Sequence, residues 1–517
     1  MTTMTQLMRT FGGKVTATLL KLTASGVESE LPTRQFYELQ WLYYLSNGLY
    51  DQLRSMGHLV KDQRLKALRN PAFRVVEFYP AVIWAGKMPI ETDNPRIEPA
   101  IRQLWRWSNW TQQKQVLVRQ AAITGIAFVK VAQPSMGIDE DGMPAPSSRV
   151  FMQLIDARHM SEYDTDERGY ITYAKIDLPQ STREMDKLKH YTHTEIWDRE
   201  RVRIYRHENG VNASIGQMGE PVMDLPLSTW GIDFVPIVAF PHMVIDENAG
   251  MGAFTAQIEK IDEVCRQASR LHSLMFRHDN VTWALKANSV STDGRPLPPP
   301  RISGFGAGES ETIELGDEKL LKLPGNSDIT SLVPNLHYVD HLAAIDAAMA
   351  ELRDDLPEIQ YWSLRDLPEM SGKALRLLLT GAVNRAKEVR GNHEQALARA
   401  HMMALTIGQK VGAWKNAGIP DVGRYENGDF EHGFMERDII PLSRDETAEL
   451  VGKEVSAGIP LRTALRRAGW SAGQIEEMML DKQAEQEEQQ ANIATALLNA
   501  QRNLANGQAS NGLEQPE

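Results

Sequence analysis

Apolar positions change their period several times along the chain, and each change predicts a different element. Residues 31–132 read as helical, with a break after Asn70-Pro71, because proline pushes the residue before it out of the helical region. Within that stretch, 111–123 predicts a helix running into Gly125-Ile-Ala-Phe-Val-Lys-Val131, whose β-branched and aromatic residues predict a strand. From 126 to 245 short apolar runs alternate with turn residues: GIAFVKVA, RVFMQLID, GYITYAKID, THTEIWD, RVRIYR and FVPIVAFP. This pattern predicts an α/β region with a largely antiparallel sheet. The connection 134–148, with Pro134, Gly137, Gly142, Pro144 and Pro146, predicts an exposed hairpin tip.

The helical period then returns. Over 252–277, Phe254, Ile258, Ile261, Val264, Ala268, Leu271 and Met275 recur three and four residues apart, a stripe that has to be buried against something. A second helix is expected at 338–356, with Leu342, Ile345, Met349 and Leu352 on one side and Asp340, Asp346, Glu351, Asp354 and Asp355 elsewhere. Between them, 278–335 is rich in Gly, Pro and Ser and holds the β-type pieces VTWALKA and KLLKL, so the two helices predict a stalk carrying a small β tip. Past a polar and aromatic break at 359–370, residues 372–416 read as one helix of about 45 residues, about 67 Å long at 1.5 Å per residue. Residues 420–442 return to turn and strand character, and 443–480 predict a compact helical module opening on Ser443 with Glu446 as a capping box. From 481 the chain is rich in Gln, Glu, Ala and Asn, which predicts a helix fraying into a disordered tail.

Composition narrows the function classes. The chain has 517 residues, 42% hydrophobic and 24% charged, which predicts a soluble globular protein of two to four sub-regions. A net charge of -12 argues against tight, sequence-independent binding to nucleic acid, so any DNA contact is expected to be local or slippery. The single cysteine, Cys265, excludes an intrachain disulfide framework and fits a reducing compartment. Near the N-terminus, Gly12, Gly13, Thr16, Thr18 and Lys21 interrupt the apolar residues, so no signal-peptide core is expected; nor does any apolar run reach the length of a membrane span.

Candidate chemistry is sparse. Met370-Ser-Gly-Lys-Ala-Leu-Arg376 has a Gly-Lys pair before a helix, but Leu367 and Ala374 stand where a phosphate loop needs glycine and Ser or Thr. Asp164, Asp166 and Gly169 imitate the start of a calcium loop, yet Arg168 and Lys175 occupy later ligand positions, which predicts a charged turn. His190, His193, Glu195 and Asp198 are split between two faces of a strand by its alternation. Trp105, Trp107 and Trp110 are read as core. No catalytic residue, cofactor site or metal site is expected, and the chain is expected not to be an enzyme.

The order of elements resembles the portal proteins of tailed double-stranded DNA bacteriophages, in their head-tail connector branch. The resemblance is carried by Asn70-Pro-Ala-Phe-Arg-Val-Val, Ala121-Ala-Ile-Thr-Gly-Ile-Ala-Phe-Val-Lys-Val131, Val235-Pro-Ile-Val-Ala-Phe240, Gly250-Met-Gly, Met370-Ser-Gly-Lys-Ala-Leu-Arg376 and Ala457-Gly-Ile-Pro-Leu-Arg462, in that order. It implies an α+β portal fold. After an N-terminal segment, 1–29, an α/β wing would cover 30–250 and 372–442, and stem helices 251–277 and 336–356. A β-containing clip would cover 278–335, a tunnel loop 357–371, a helical crown 443–500 and a flexible tail 501–517. The resemblance implies a homo-oligomeric ring, usually of twelve subunits, assembled in the host cytoplasm and located at one capsid vertex of the virion. Its implied partners are the terminase large subunit, the major capsid protein and scaffold, a head-completion or adaptor protein, and duplex DNA passing through the channel, with no membrane. Candidate channel residues are Arg365, Asp366 and Lys373 in the loop and Asp340, Asp346 and Glu351 on the second stem helix. Arg365 and Lys373 are equally well read as partners in ion pairs between subunits. Another virion ring or adaptor protein is the alternative, followed by a metal-dependent nuclease.

Overall fold

The computed structural model describes residues 34–510 apart from 56–64, 85, 87, 133–148, 185–186, 209, 212, 247–248, 280–281, 288–292, 294, 296–311, 316–317, 322–326, 332–337, 364–376, 420, 441–443, 469 and 471. It divides into two units, one comprising the chain to residue 85 and 93–431, the other 86–92 and 432 onwards. Mixed helix and sheet make it an α+β protein.

The first part of the chain forms α1 (Arg34–Leu45), α2 (Leu49–Ser55), α3 (Ala72–Val82), the short strand β1 (Ile90–Glu91), α4 (Ile97–Trp107) and α5 (Trp110–Thr124). The break expected at Asn70-Pro71 is there, and Asn70 builds it. Its Oδ1 accepts from the Ala72 N–H at 2.9 Å and its Nδ2 donates to the Tyr43 carbonyl at 2.7 Å, so the turn opens α3 and ties it to α1. Helix α5 ends on Gly125 at φ +87, where an added Cβ would sit 2.3 Å from the Gly250 carbonyl oxygen. Only glycine allows two chain segments so far apart in sequence to touch there.

The strand-rich stretch makes two sheets where its pattern suggests one. In the first, β2 (Ile126–Ala132) lies between β3 (Phe151–Ile155) and, reached much later in the chain, β9 (Ile237–Pro241), all antiparallel. The second is a five-stranded antiparallel meander of β4 (Met160–Thr165), β5 (Ile171–Glu184), β6 (Lys187–Trp197), β7 (Arg201–His207) and β8 (Met223–Pro226). Strand periodicity fixes which residues share a face but not which strand pairs with β2, since a distant partner leaves no local signal. The expected hairpin tip at 134–148 lies outside the described residues.

After β10 (Met243–Asp246) and β11 (Ala249–Met251), the long apolar stripe forms a 3-10 turn and then α6 (Ile258–Asp279). Strands β12 (Thr282–Ala287), β13 (Thr312–Leu315), β14 (Glu318–Leu321) and β15 (Ser327–Ser331) make a sheet ordered β13-β14-β12-β15, with β12 and β14 parallel. Next come α7 (Tyr338–Asp355) and α8 (Glu358–Ser363), so the expected polar break begins with a helical turn. Helix α9 (Thr380–Lys410) lies against β9 and β2. Its 31 residues span about 46 Å, shorter than the length read from sequence. It stops because Gly412 takes φ +74 and turns the chain into α10 (Ala413–Asn416), whose Trp414 Nε1 donates to the Leu405 carbonyl at 3.0 Å. The Trp414 ring sits on Gly408, where a Cβ would meet it at 2.5 Å.

In the second unit β1 pairs antiparallel with β16 (Gly433–Phe434), and α11 (Arg444–Ser456), α12 (Leu461–Arg467) and α13 (Ala472–Ser510) follow. The predicted cap residue Ser443 lies outside the described residues. Helix α13 has 39 residues, about 58 Å, and runs as one element through the stretch expected to fray after 481.

Candidate functional site: the acidic helix pair and its buried joints

Helices α6 and α7 touch along a narrow seam. Ala268, Leu271 and Ile345 are buried in it and Tyr338 and Met349 are half-buried. Apart from Leu352, the rest of α7 meets water on most of its circumference. Asp340, Asp346 and Glu351, the channel candidates of this helix, are all exposed. They are not equivalent. Lys260 on α6 reaches Glu351 at 2.9 Å and Asp355 at 2.5 Å, and its hydrogen bonds to Asp355 and Glu351 raise its own pKa. Glu351 therefore serves the contact between the helices, while Asp340, Asp346 and Asp354 present carboxylates to solvent. Arg365, Asp366 and Lys373 lie outside the described residues, as does the whole Met370–Arg376 motif.

Two buried carboxylates mount this pair on the body of its unit. Asp262, on the inner face of α6, accepts from the Tyr43 and Tyr50 hydroxyls, each at 2.8 Å. Burial pushes its carboxyl up to about 6 and the Tyr43 hydroxyl well above its ordinary value. Glu358, fully buried at the start of α8, accepts from the Tyr79 hydroxyl at 2.7 Å and from Arg385 Nη1 at 3.4 Å; burial raises its pKa too. The helix pair is thus held at its base by two tyrosine-carboxylate joints, one on each helix or its continuation. Beside the second joint, the Tyr79 ring meets His242 edge-on at 4.3 Å, and His242 lies 6.3 Å from His393 of α9. Burial holds both imidazoles neutral, His393 down at about 3.

The sequence-predicted residues elsewhere find plain structural employment. Trp110 is buried, Trp107 stacks on Trp414 at 5.5 Å, and Trp105 Nε1 donates to His401 Nε2 at 2.9 Å. Asp166 Oδ1 accepts from the Arg168 and Tyr170 N–H groups at 3.0 and 2.8 Å, shaping the β4–β5 turn. Asp198 likewise accepts from the Glu200 and Arg201 N–H groups. Glu195 belongs to a different structure: Lys130 Nζ donates to both its oxygens at 2.8 Å. Burial opposes its ionisation, but hydrogen bonds from His193, Lys130 and Trp197 win and hold it down at about 2. Among the described residues no group of three or more His, Cys, Asp or Glu side chains could hold a metal ion, and no helix is long and apolar enough to cross a membrane.

Asp262, Glu358 and the Lys130–Glu195 pair were not singled out from the sequence. Asp262 had a signal, since it interrupts the apolar stripe between Ile261 and Cys265. Glu358 had none, because its partner Tyr79 is 279 residues away.

No protein family profile and no curated protein sequence matches this chain. Among solved structures it is similar to a chain described as "Virion of native gene transfer agent (GTA) particle", at 14% identity and TM-score 0.40, covering 86% of this chain and 99% of that one. Chains described as "Neck of empty GTA particle computed with C6 symmetry" and "Neck of native GTA particle computed with C12 symmetry" are similar at 14% and 12% identity, with TM-scores of 0.37 and 0.33. Each covers 76% of this chain and 90% of its own length.

Proposed function

We propose that this chain is one subunit of a portal ring, the channel through which duplex DNA enters and leaves the capsid of a phage-like particle. One observation carries the reading: an antiparallel helix pair, α6 and α7, brackets a separate four-stranded sheet and stands on an α/β body, the order that the resemblance to portal proteins implies. In this reading α6 and α7 are the stem, β12–β15 the clip, α1–α5 with β2–β11 and α9 the wing, α11–α13 the crown, and 357–371 the tunnel loop. The charge fits the role. Exposed carboxylates at Asp340, Asp346 and Asp354 repel phosphates, and a conduit through which DNA slides is better non-adhesive than basic.

Such a ring would dock a terminase and later a head-completion protein through the clip and a capsid shell through the wing. The protein itself would hydrolyse nothing. A ring needs a heterologous interface that closes, so assembly is the first thing to test. Electron microscopy of the purified chain should show closed rings, of about twelve subunits, with a central channel wide enough for duplex DNA. Monomers or dimers across a wide range of salt and protein concentration would reject the reading.

A further inference from the structure

Helices α11, α12 and α13 bury very little of their own apolar surface. Among their described residues only Ala464, Leu465 and Ile475 are buried, while Leu450 and Val455 on α11, Trp470 just after α12, and Leu480, Ile493 and Leu497 on α13 are exposed. A helical module with so small a core gains little from burial within itself, and its exposed apolar residues mark a surface that a partner covers.

Charge says what that partner is. Arg462 and Arg466 stand four residues apart on α12, so they share one face about 6 Å long, and both are exposed. Arg467 beside them is held by Glu454 at 3.7 Å, but Arg462 and Arg466 have no acidic partner among the described residues. On α13, Asp481, Glu485 and Glu488 recur four and three residues apart, exposed and without a basic partner among the described residues. Like charges at that spacing weaken a lone helix, so a partner that neutralises them stabilises it. The chain does not bring the two sets together by itself: Ile475 is the buried residue of α13, and Glu485 lies ten residues on, about 15 Å further along the helix axis. Two α13 helices laid side by side in register would set carboxylate against carboxylate, an unfavourable pairing. The complement of this acidic stripe is the arginine face of another α12.

From these features we propose that α13 of one copy of this chain docks on α11 and α12 of a second copy, with Asp481 and Glu485, spaced like the two arginines, facing Arg462 and Arg466. The apolar residues supply most of the attraction, since exposed ion pairs contribute little, and the charges fix the register. The contact is heterologous. Each copy keeps an unused acidic stripe on one side and unused arginines on the other, so copies add head to tail. It rests on the portal reading in one respect, that this series of contacts closes into a ring.

The test uses the full chain. Arg466→Cys together with Glu485→Cys, treated with a short bismaleimide, should give a ladder of joined chains running past the dimer, whereas either single variant should remain a single chain; Cys265 is buried and stays unreacted. Reversing the arginines, Arg462→Glu with Arg466→Glu, should raise the protein concentration needed for half-assembly by about tenfold or more without lowering the melting temperature of the unassembled chain. Adding Asp481→Lys and Glu485→Lys to that variant should restore assembly, which a merely structural role of these exposed residues would not do. Cross-linking that stops at dimers, or reversals that change nothing, or a four-fold variant that fails to recover, overturns the proposal. Native rings that ignore every reversal would overturn this contact and leave the portal reading standing. Open head-to-tail chains, joined by the cross-link and rescued by the charge swap, would keep the contact and reject the ring.

Discussion

Helices α9 and α13 are the two longest in the described chain, and they are used in opposite ways. Helix α9 buries Ala382, Ala386, Val389, His393, Leu397, Ala400 and Ala404, a stripe of mostly small residues that lets β9 and β2 come close. Helix α13 buries Ile475 near its start, but Leu480, Ile493, Leu497 and Leu498 are each more than 60% exposed. Ile493, Leu497, Ala500 and Leu504 nevertheless follow the same spacing of three and four. Periodicity announces that a face suits burial. It does not say whether the covering surface lies in the same chain.

Substitutions at matched positions put this contrast to the test. The largest expected effect is Leu397→Ala in α9, which should cost about 2–5 kcal/mol in urea unfolding because it leaves a cavity in a closed core. Leu497→Ala in α13 should fall within about 0.5 kcal/mol in the isolated chain, as for other exposed sites. Comparable losses at both sites would mean that α13 is covered in solution.

Acid comes next, since α9 carries a buried imidazole and α13 does not. The folded pKa of His393 lies below the ordinary 6.5, so the unfolded chain takes up the proton more readily. Its contribution is whole above pH 6.5 and is lost as pH falls toward about 3, amounting to about 4 kcal/mol by about pH 3.5. His393→Leu should flatten that part of the unfolding profile; an unchanged slope would place the acid sensitivity elsewhere.

Asp262 works with the opposite sign. Its folded pKa is raised from 3.8 to about 6, so its stability contribution is complete below pH 3.8 and is lost as pH rises through about 6, up to about 3 kcal/mol. Asp262→Asn should remove that alkaline-side loss while still accepting a hydrogen bond from a tyrosine. If the mount of α6 is as important as its geometry indicates, Asp262→Leu should in addition loosen the helix pair, seen as faster amide exchange in α6 and α7.

The smallest effect is the most discriminating. A Cβ at Gly391 in α9 or at Gly473 in α13 would meet nothing within 4 Å. Alanine at Gly391, in the interior of α9, should stabilise by about 0.5–1 kcal/mol through helix propensity alone, and at Gly473, the second residue of α13, by less. Alanine at Gly408 should destabilise instead, because the Trp414 ring occupies that space.

Much of the architecture was legible beforehand, and for stated reasons. The strands β2, β3, β5, β6, β7 and β9 coincide with runs picked out by residue type, and α6 and α7 with stripes of period three to four. The candidate site was legible only in part. Exposure of Asp340 and Asp346 followed from their place opposite an apolar stripe, whereas the diversion of Glu351 to Lys260 did not, because that ion pair joins residues 91 positions apart. The stop of α9 at Gly412 was written in a glycine that looked no different from Gly391, through which the helix runs unbroken.

The sequence by itself determined which segments are helical or extended, which side of each is apolar, the acidic balance of the chain and the separation of α6 from α7 by a β module. Those properties depend on neighbours a few residues away, where propensity and period act directly. Only the tertiary structure decided that β2–β9 divide between a three-stranded and a five-stranded sheet, that Gly125 and Gly250 touch, that Lys130 answers Glu195, and that two tyrosine-carboxylate joints seat the helix pair. Each of these joins residues distant in the chain, and a buried charge or hydroxyl chooses its partner by distance and desolvation, which no local pattern encodes.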